Sequence, residues 1–278
     1  MCGWKRYIVG IDGSKPSKAA LRIALEIAGR FGGTVTGIHV VDQEEVTQSM
    51  VTPGIPYAPI DIKPLEYYSN LQDKLVKKGQ KALKEAGIIA KEAGIEWVPT
   101  QTMGLPGDIL AQAAKSHDCL FLGERGRGDS DKKGPGKEVL NVARHCPRPV
   151  LVAEKFHPVN NMLIAYDGSH EAVRALRVAV DFGGHGYKFH LLTVSEPQRA
   201  GEMTMEEARA YLDAHGLDVE YHLVDGEPSE QIPARAKEFG CGLILMGAFG
   251  HRSLAQRVFG TTTEHILTEC ELPVLLAK

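Results

Sequence analysis

Short apolar runs alternate with helically spaced apolar positions along the whole chain. In the second half, Met162–Tyr166 is an apolar run ending in Asp-Gly-Ser, which reads as a strand, a turn and a helix cap. Val173, Leu176 and Val180 follow at helical spacing within Glu171–Phe182. Lys188–Val194, Val219–Val224, Leu243–Met246 and Pro273–Ala277 read as further strands, with helices over Met203–His215, Gln231–Phe239 and Thr261–Cys270. The first half follows the same order, with strands over Tyr7–Ile11, Val35–Val41, Glu96–Thr100, Cys119–Leu122 and Val150–Ala153. Strands separated by helices need crossover connections, so the pattern predicts an α/β fold with a mostly parallel sheet covered on both faces. Ligands of such sheets bind beyond the carboxyl ends of the strands.

The two halves repeat one another. Asp12-Gly13-Ser14 falls on Asp167-Gly168-Ser169, and Ala20-Leu21-Arg22 on Ala175-Leu176-Arg177, both at an offset of 155. Near the ends of the copies, CPRPVLVAE from Cys146 matches CELPVLLAK from Cys270 at an offset of 124, so the first copy is longer by 31 residues in its middle. The visible surplus is Gln43–Pro64, where Pro53, Pro56, Pro59 and Pro64 exclude helix and central strand and predict a long loop, taken as residues 43–66. The chain is therefore expected to hold two tandem doubly wound, Rossmann-like domains, residues 1–156 and 160–278. The polar join near Lys155–Asn161 is short enough to pack them closely.

Composition narrows the function. A length of 278 residues suits two domains, and 43 % hydrophobic residues give each a core. A net charge of −3 lacks the basic excess of a nucleic-acid surface. The N-terminal MCGWKRYIVG flows straight into a strand pattern and does not read as a signal peptide, and no run approaches the roughly 20 apolar residues of a membrane helix. Five cysteines without a CxxC pair read as free thiols of a reducing cytoplasm. With no HExxH and no tight His/Cys group along the chain, linear spacing predicts no metal site. No GxSxG elbow marks a nucleophilic serine.

The most informative segment is Met246–Thr262, MGAFGHRSLAQRVFGTT. It leaves a buried strand, places Gly247 and Gly250 three apart, and enters a helix at Gly260-Thr261. Thr261 and Glu264 have the spacing of a capping box, which predicts Thr261 as the cap. Free backbone N–H groups and the helix dipole there suit an anion, with the Thr261 and Thr262 hydroxyls and His251, Arg252 and Arg257 as further donors. The alternative is a surface loop that uses its glycines only to turn. The segment matches neither a Walker loop nor the GxGxxG fingerprint.

G-x2-G-x9-G-T after a buried strand, together with Asp-Gly-Ser after the first strand, resembles the universal stress protein family over nearly the whole chain. The resemblance implies an adenine-nucleotide α-hydrolase-like fold and a site for ATP, AMP or ADP, with Mg2+ accompanying the phosphates. It implies that Asp167 and Val194 face the adenine, while Gly247, Gly250, Gly260, Thr261 and Thr262 wrap the ribose and phosphates beside Met246. Asp167 has a second role open to it, closing an Asx turn ahead of the following helix. Pairing of the two domains within the chain and further homodimerisation are likewise implied.

The first copy departs from the motif. Gly123, Gly126 and Gly136 keep the spacing, but Lys137 stands where a Ser or Thr is expected, and Asp129 and Asp131 oppose phosphate. Asp12 and Val40 hold the base-pocket positions by resemblance. The copy reads as a degenerate or altered site, with a basic clamp of Arg125, Arg127, Lys132, Lys133 and Lys137 as the alternative. The expectation is thus a regulatory or stress-response nucleotide-binding protein, its ligand held mainly by the second domain. No catalytic residue stands out, because no base is placed to activate water for ordinary hydrolysis. The alternatives are a weak ATPase or nucleotidyl-transfer enzyme, and a nucleotide-free dimerisation module.

Overall fold

The computed structural model describes residues 3–48, 64–126, 134–196, 198–248 and 260–278. Strand β1 (Arg6–Gly10) leads through Asp12-Gly13-Ser14 into helix α1 (Lys15–Phe31). Strand β6 (Asn161–Ala165) leads through Asp167-Gly168-Ser169 into α6 (His170–Phe182). The two turns are built alike. Gly13 and Gly168 hold φ at 78° and 77°, a region that favours glycine. Ser14 and Ser169 cap their helices, each Oγ accepting a 3.1 Å bond from the amide of Ser17 or Ala172.

The first copy continues with β2 (Thr34–Asp42), α2 (Gln43–Gln48), α3 (Pro64–Glu92), β3 (Glu96–Gly104), α4 (Pro106–Ala114), β4 (Cys119–Gly123), α5 (Lys137–His145) and β5 (Val150–Ala153). The second has β7 (Lys188–Val194), α7 (Gln198–Ala214), β8 (Val219–Val224), α8 (Pro228–Glu238), β9 (Leu243–Gly247), α9 (Thr261–Glu269) and β10 (Val274–Ala277). The ten strands of the described residues form one sheet in the order β3-β2-β1-β4-β5-β10-β9-β6-β7-β8. Within each copy the pairs are parallel, which gives two tandem doubly wound halves. Between them β5 and β10 run antiparallel, with Leu151 opposite Leu275. Both are fully buried, so the apolar closing strand of each copy covers the edge of the other.

Helices α1, α3, α6 and α7 cover one face of the sheet, and α4, α5, α8 and α9 the other. Each apolar layer runs on from one copy into the next. On the first face the junction is aromatic: Trp4, Phe31 and Tyr187 surround Phe182 at 5.0, 5.2 and 5.1 Å between ring centres. Val159 of the join is fully buried, and its amide donates to Oε1 of Glu26 at 3.0 Å.

Two expectations need correction. The segment 43–66 is helical at both ends, as α2 and as the start of α3, while residues 49–63 lie outside the described residues. Pro64 opens α3, where its missing N–H costs no helical bond. Helix α3 has 29 residues against 17 in α7, so 12 of the surplus residues lengthen a helix. The capping box is also displaced. Gly260 is the cap of α9 and Thr261 its first helical residue, with the Glu264 amide donating to the Gly260 carbonyl at 3.0 Å. Among the described residues no helix is long and apolar enough to cross a membrane, and Cys119, Cys146, Cys241 and Cys270 are free thiols.

Candidate functional site

Asp12, Asp167, Val194, Gly123 and Gly247 lie at or just beyond the carboxyl ends of their strands. Oδ1 of Asp167 accepts from the Ser169 amide at 3.0 Å, and Oδ1 of Asp12 accepts from the Ser14 amide at 2.8 Å. The Asx turn is therefore present in both copies. Each turn is tied to the neighbouring strand, since the amide of Tyr166 donates to Leu192 and that of Ile11 to Ile38. Val194 is the last residue of β7, half-buried and level with Val224 of β8. Val40 differs, because β2 runs on to Asp42 and places Val40 inside the strand, level with Thr102.

Gly247 and Gly123 end β9 and β4. A Cβ on Gly247 would stand 2.6 Å from Cβ of Glu171, and one on Gly123 would stand 2.6 Å from the Ser17 amide nitrogen. Both glycines thus let the first turn of α6 or α1 close onto the strand end. They serve helix packing here, which spacing alone did not separate from ligand contact. Met246 is buried in the layer beneath α8 and α9. Gly126 lies beside the first turn, its Cβ position 3.5 Å from Oδ2 of Asp12. Gly250, His251, Arg252 and Arg257, and in the first copy Arg127, Asp129, Asp131, Lys132 and Lys133, lie outside the described residues.

Gly260 and Gly136 cap α9 and α5 with extended backbone, and neither helix receives a side-chain cap bond. Among the described residues no side chain caps the first turn of α9, and Thr261 is exposed and Thr262 half-buried there. At α5 the exposed Lys137 replaces the first threonine.

The structure adds groups that the motifs did not flag. Glu124, directly after Gly123, is 5 % exposed, where the second copy has the fully buried Ala248. Arg125 bridges it, with one guanidinium nitrogen 3.2 Å from Glu124 and 2.9 Å from Glu154. Burial pushes the Glu124 carboxyl up, and Arg125 pulls it back. A buried carboxylate at this edge opposes an anionic ligand in the first copy. In the second, Glu171 is 2 % exposed, and its Oε1 has no hydrogen-bond partner among the described residues.

A further group lies away from this edge. The β7–β8 register brings His190 of β7 beside Glu220 and His222 of β8. Residues 32 apart in sequence meet here, so the expectation of no metal site from linear spacing had no means of seeing the group. The signal was the matched alternation of the two strand patterns.

A family model described as the universal stress protein family matches residues 3–154 and 199–278. The universal stress protein Slr1230 of Synechocystis sp. is 28 % identical over 98 % of this chain and 99 % of its own. The crystal structure of a universal stress protein from Archaeoglobus fulgidus superimposes with a TM-score of 0.73 at 22 % identity, over 98 % of this chain and 96 % of that one. A putative universal stress protein from Pseudomonas aeruginosa gives a TM-score of 0.66 at 18 % identity, over 99 % and 93 %. These two likenesses speak for the fold.

Proposed function

Since the chain belongs to the universal stress protein family, we propose that it binds an adenine nucleotide, ATP, AMP or ADP, held mainly by its second copy. The observation that carries this reading is the start of α9. Among the described residues no side chain caps its first turn, and Thr261 and Thr262 open the helix that follows β9. The Asp167 turn at the end of β6 supplies a polar group for a base at the carboxyl edge of the sheet. The first copy is the weaker site, since it replaces Thr261 by Lys137 and buries Glu124 where the second has Ala248. Mg2+ would accompany the phosphates.

The role is regulatory, in the stress response and in the cytoplasm, with slow or no turnover. The domains, residues 1–156 and 160–278, form a pair within the chain, a reading supported by the β5–β10 ladder. A further homodimer through other surfaces accompanies it.

The test is the nucleotide content of freshly purified protein, followed by titration with ATP. Gly260→Asp is a clean variant because φ is −64° and ψ 153°, open to any residue. Aspartate caps helices well, so the variant keeps α9 while setting a negative charge against the phosphates. About one nucleotide per chain is expected, near micromolar affinity or better (about −8 kcal/mol). It is lost in Gly260→Asp and kept in Gly136→Asp. Two per chain would restore the first site, and a blank titration would overturn the reading.

A further inference from the structure

We propose that His190, Glu220 and His222 form a binding site for one zinc-class dication, separate from the candidate nucleotide edge. Strand alternation carries the argument first. His190 pairs with Glu220, and Leu192 with His222, so the three side chains share one face of the β7–β8 ladder. Nδ1 of His190 is 3.2 Å from Nε2 of His222 and 3.5 Å from Oε2 of Glu220. The three ligand atoms all lie within 4.8 Å of one another. Tetrahedral zinc, with bonds of about 2.0–2.1 Å, needs its ligand atoms about 3.3 Å apart. The 3.2 and 3.5 Å separations match that edge, and the third closes with a small turn of the exposed Glu220 side chain.

The surroundings hold the group in a binding state. The Phe239 ring stacks on His190 at 4.9 Å and on His222 at 4.1 Å, fixing both imidazole planes. His190 is buried and His222 half-buried in this packing, and a metal takes each imidazole in its neutral form. The contact between the rings already holds the two nitrogens 3.2 Å apart. Metal binding requires the donor ring alone to move its proton to its other nitrogen, without net loss of a proton. Lys188, Arg235 and Glu238 also face the group, and with Glu220 the fixed charges balance.

Two imidazoles and one carboxylate select zinc and its neighbours over Mg2+ or Ca2+, which prefer all-oxygen sites. Three protein ligands leave a fourth position for water. Strand β8 is the outer strand of the sheet, so the ion reaches the site from solvent. The repeat supplies an internal control. Thr36, Val98 and Thr100 occupy the matching register in the first copy and offer no such set. The site belongs to the second copy alone. His190 also lies four residues before Val194, about 13 Å along β7 from the nucleotide edge.

The test uses the full chain, stripped with chelator and titrated calorimetrically with Zn2+. One saturable site per chain is expected, unmoved by millimolar Mg2+. Co2+ should give the visible absorption of a tetrahedral centre. His222→Ala should remove both signals, with circular dichroism confirming the fold. Should that variant unfold, Glu220→Gln decides on an exposed position and should weaken Zn2+ by about tenfold or more. Absence of saturable binding, or Zn2+ affinity unchanged in either folded variant, would overturn the proposal.

Discussion

The indole Nε1 of Trp4 donates to Oδ2 of Asp181 across 3.2 Å, tying the segment before β1 to helix α6 of the other copy. Burial raises the Asp181 carboxyl above its usual range, and the Trp4 bond pulls it back. The Trp4 ring meets Phe182 edge-on at 78° and is 7 % exposed. It therefore contributes packing and a polar tie at one junction. Trp4→Ala should cost about 3–5 kcal/mol. Trp4→Phe keeps most of the packing and should cost about 1–2 kcal/mol, from the donor lost to Asp181. Urea unfolding measures both, and a Trp4→Phe variant as stable as the parent would remove the hydrogen bond from the account.

The glycines at the strand ends make a second prediction. Alanine at Gly247 would press its Cβ against Cβ and the carbonyl carbon of Glu171 at 2.6 and 2.8 Å. Alanine at Gly123 would meet the Ser17 nitrogen and the Pro16 carbonyl carbon at 2.6 and 2.7 Å. Both sets include backbone atoms, so the helix itself must shift. Each variant should lose about 1–3 kcal/mol. If the glycines only admitted a ligand, thermal melts without nucleotide would be unchanged.

Much of this frame was legible in the sequence. The Asp-Gly-Ser repeat located two strand-turn-helix units, because serine caps and left-handed glycines have local causes. The apolar closing strands were legible too, but their antiparallel pairing depends on long-range contacts that no local pattern encodes. Dense proline suggested a loop over 43–66, yet proline at a first helical position is compatible with a helix, as at Pro64. Thr261 matched a capping box by spacing, while the chain enters its helix one residue earlier, at Gly260. His190 and His222 were invisible because strand register, set by tertiary packing, brings them together.

His117 predicts an acid sensitivity. It is 6 % exposed, donates from Nδ1 to the Ala113 carbonyl at 2.9 Å, and accepts at Nε2 from Thr36 at 3.2 Å. Burial, helped by Arg6, lowers its pKa against the opposing pull of the Ala113 carbonyl and Asp118. The folded state therefore binds a proton less readily than the unfolded chain. This contribution to stability is complete above the ordinary histidine value of about 6.5 and is lost as pH falls through the lower folded value. His190 and His222 shift in the same direction. Urea midpoints should fall between about pH 7.5 and 5, and His117→Gln should flatten part of that slope. An unaltered slope in the variant would exclude His117 as a source.

The Glu124–Arg125–Glu154 bridge distinguishes the two copies most sharply. Its side chains are 7, 18 and 29 % exposed, so Arg125 offsets one buried carboxylate and one partly solvated one. Arg125→Ala leaves Glu124 buried without that partner and should cost about 3 kcal/mol near neutral pH. Glu124→Ala recreates the Ala248 arrangement of the second copy and should cost less, because Arg125 keeps Glu154 at 2.9 Å. Adding Glu124→Ala to Arg125→Ala should then recover part of the loss, a coupling that the double-mutant cycle reads directly. Burial already raises the Glu124 pKa, and removing Arg125 raises it further. The Arg125→Ala deficit should therefore shrink as pH falls and Glu124 takes up its proton. Equal deficits at pH 7 and in mild acid would show that Arg125 acts through packing, and that charge at this edge does not separate the copies.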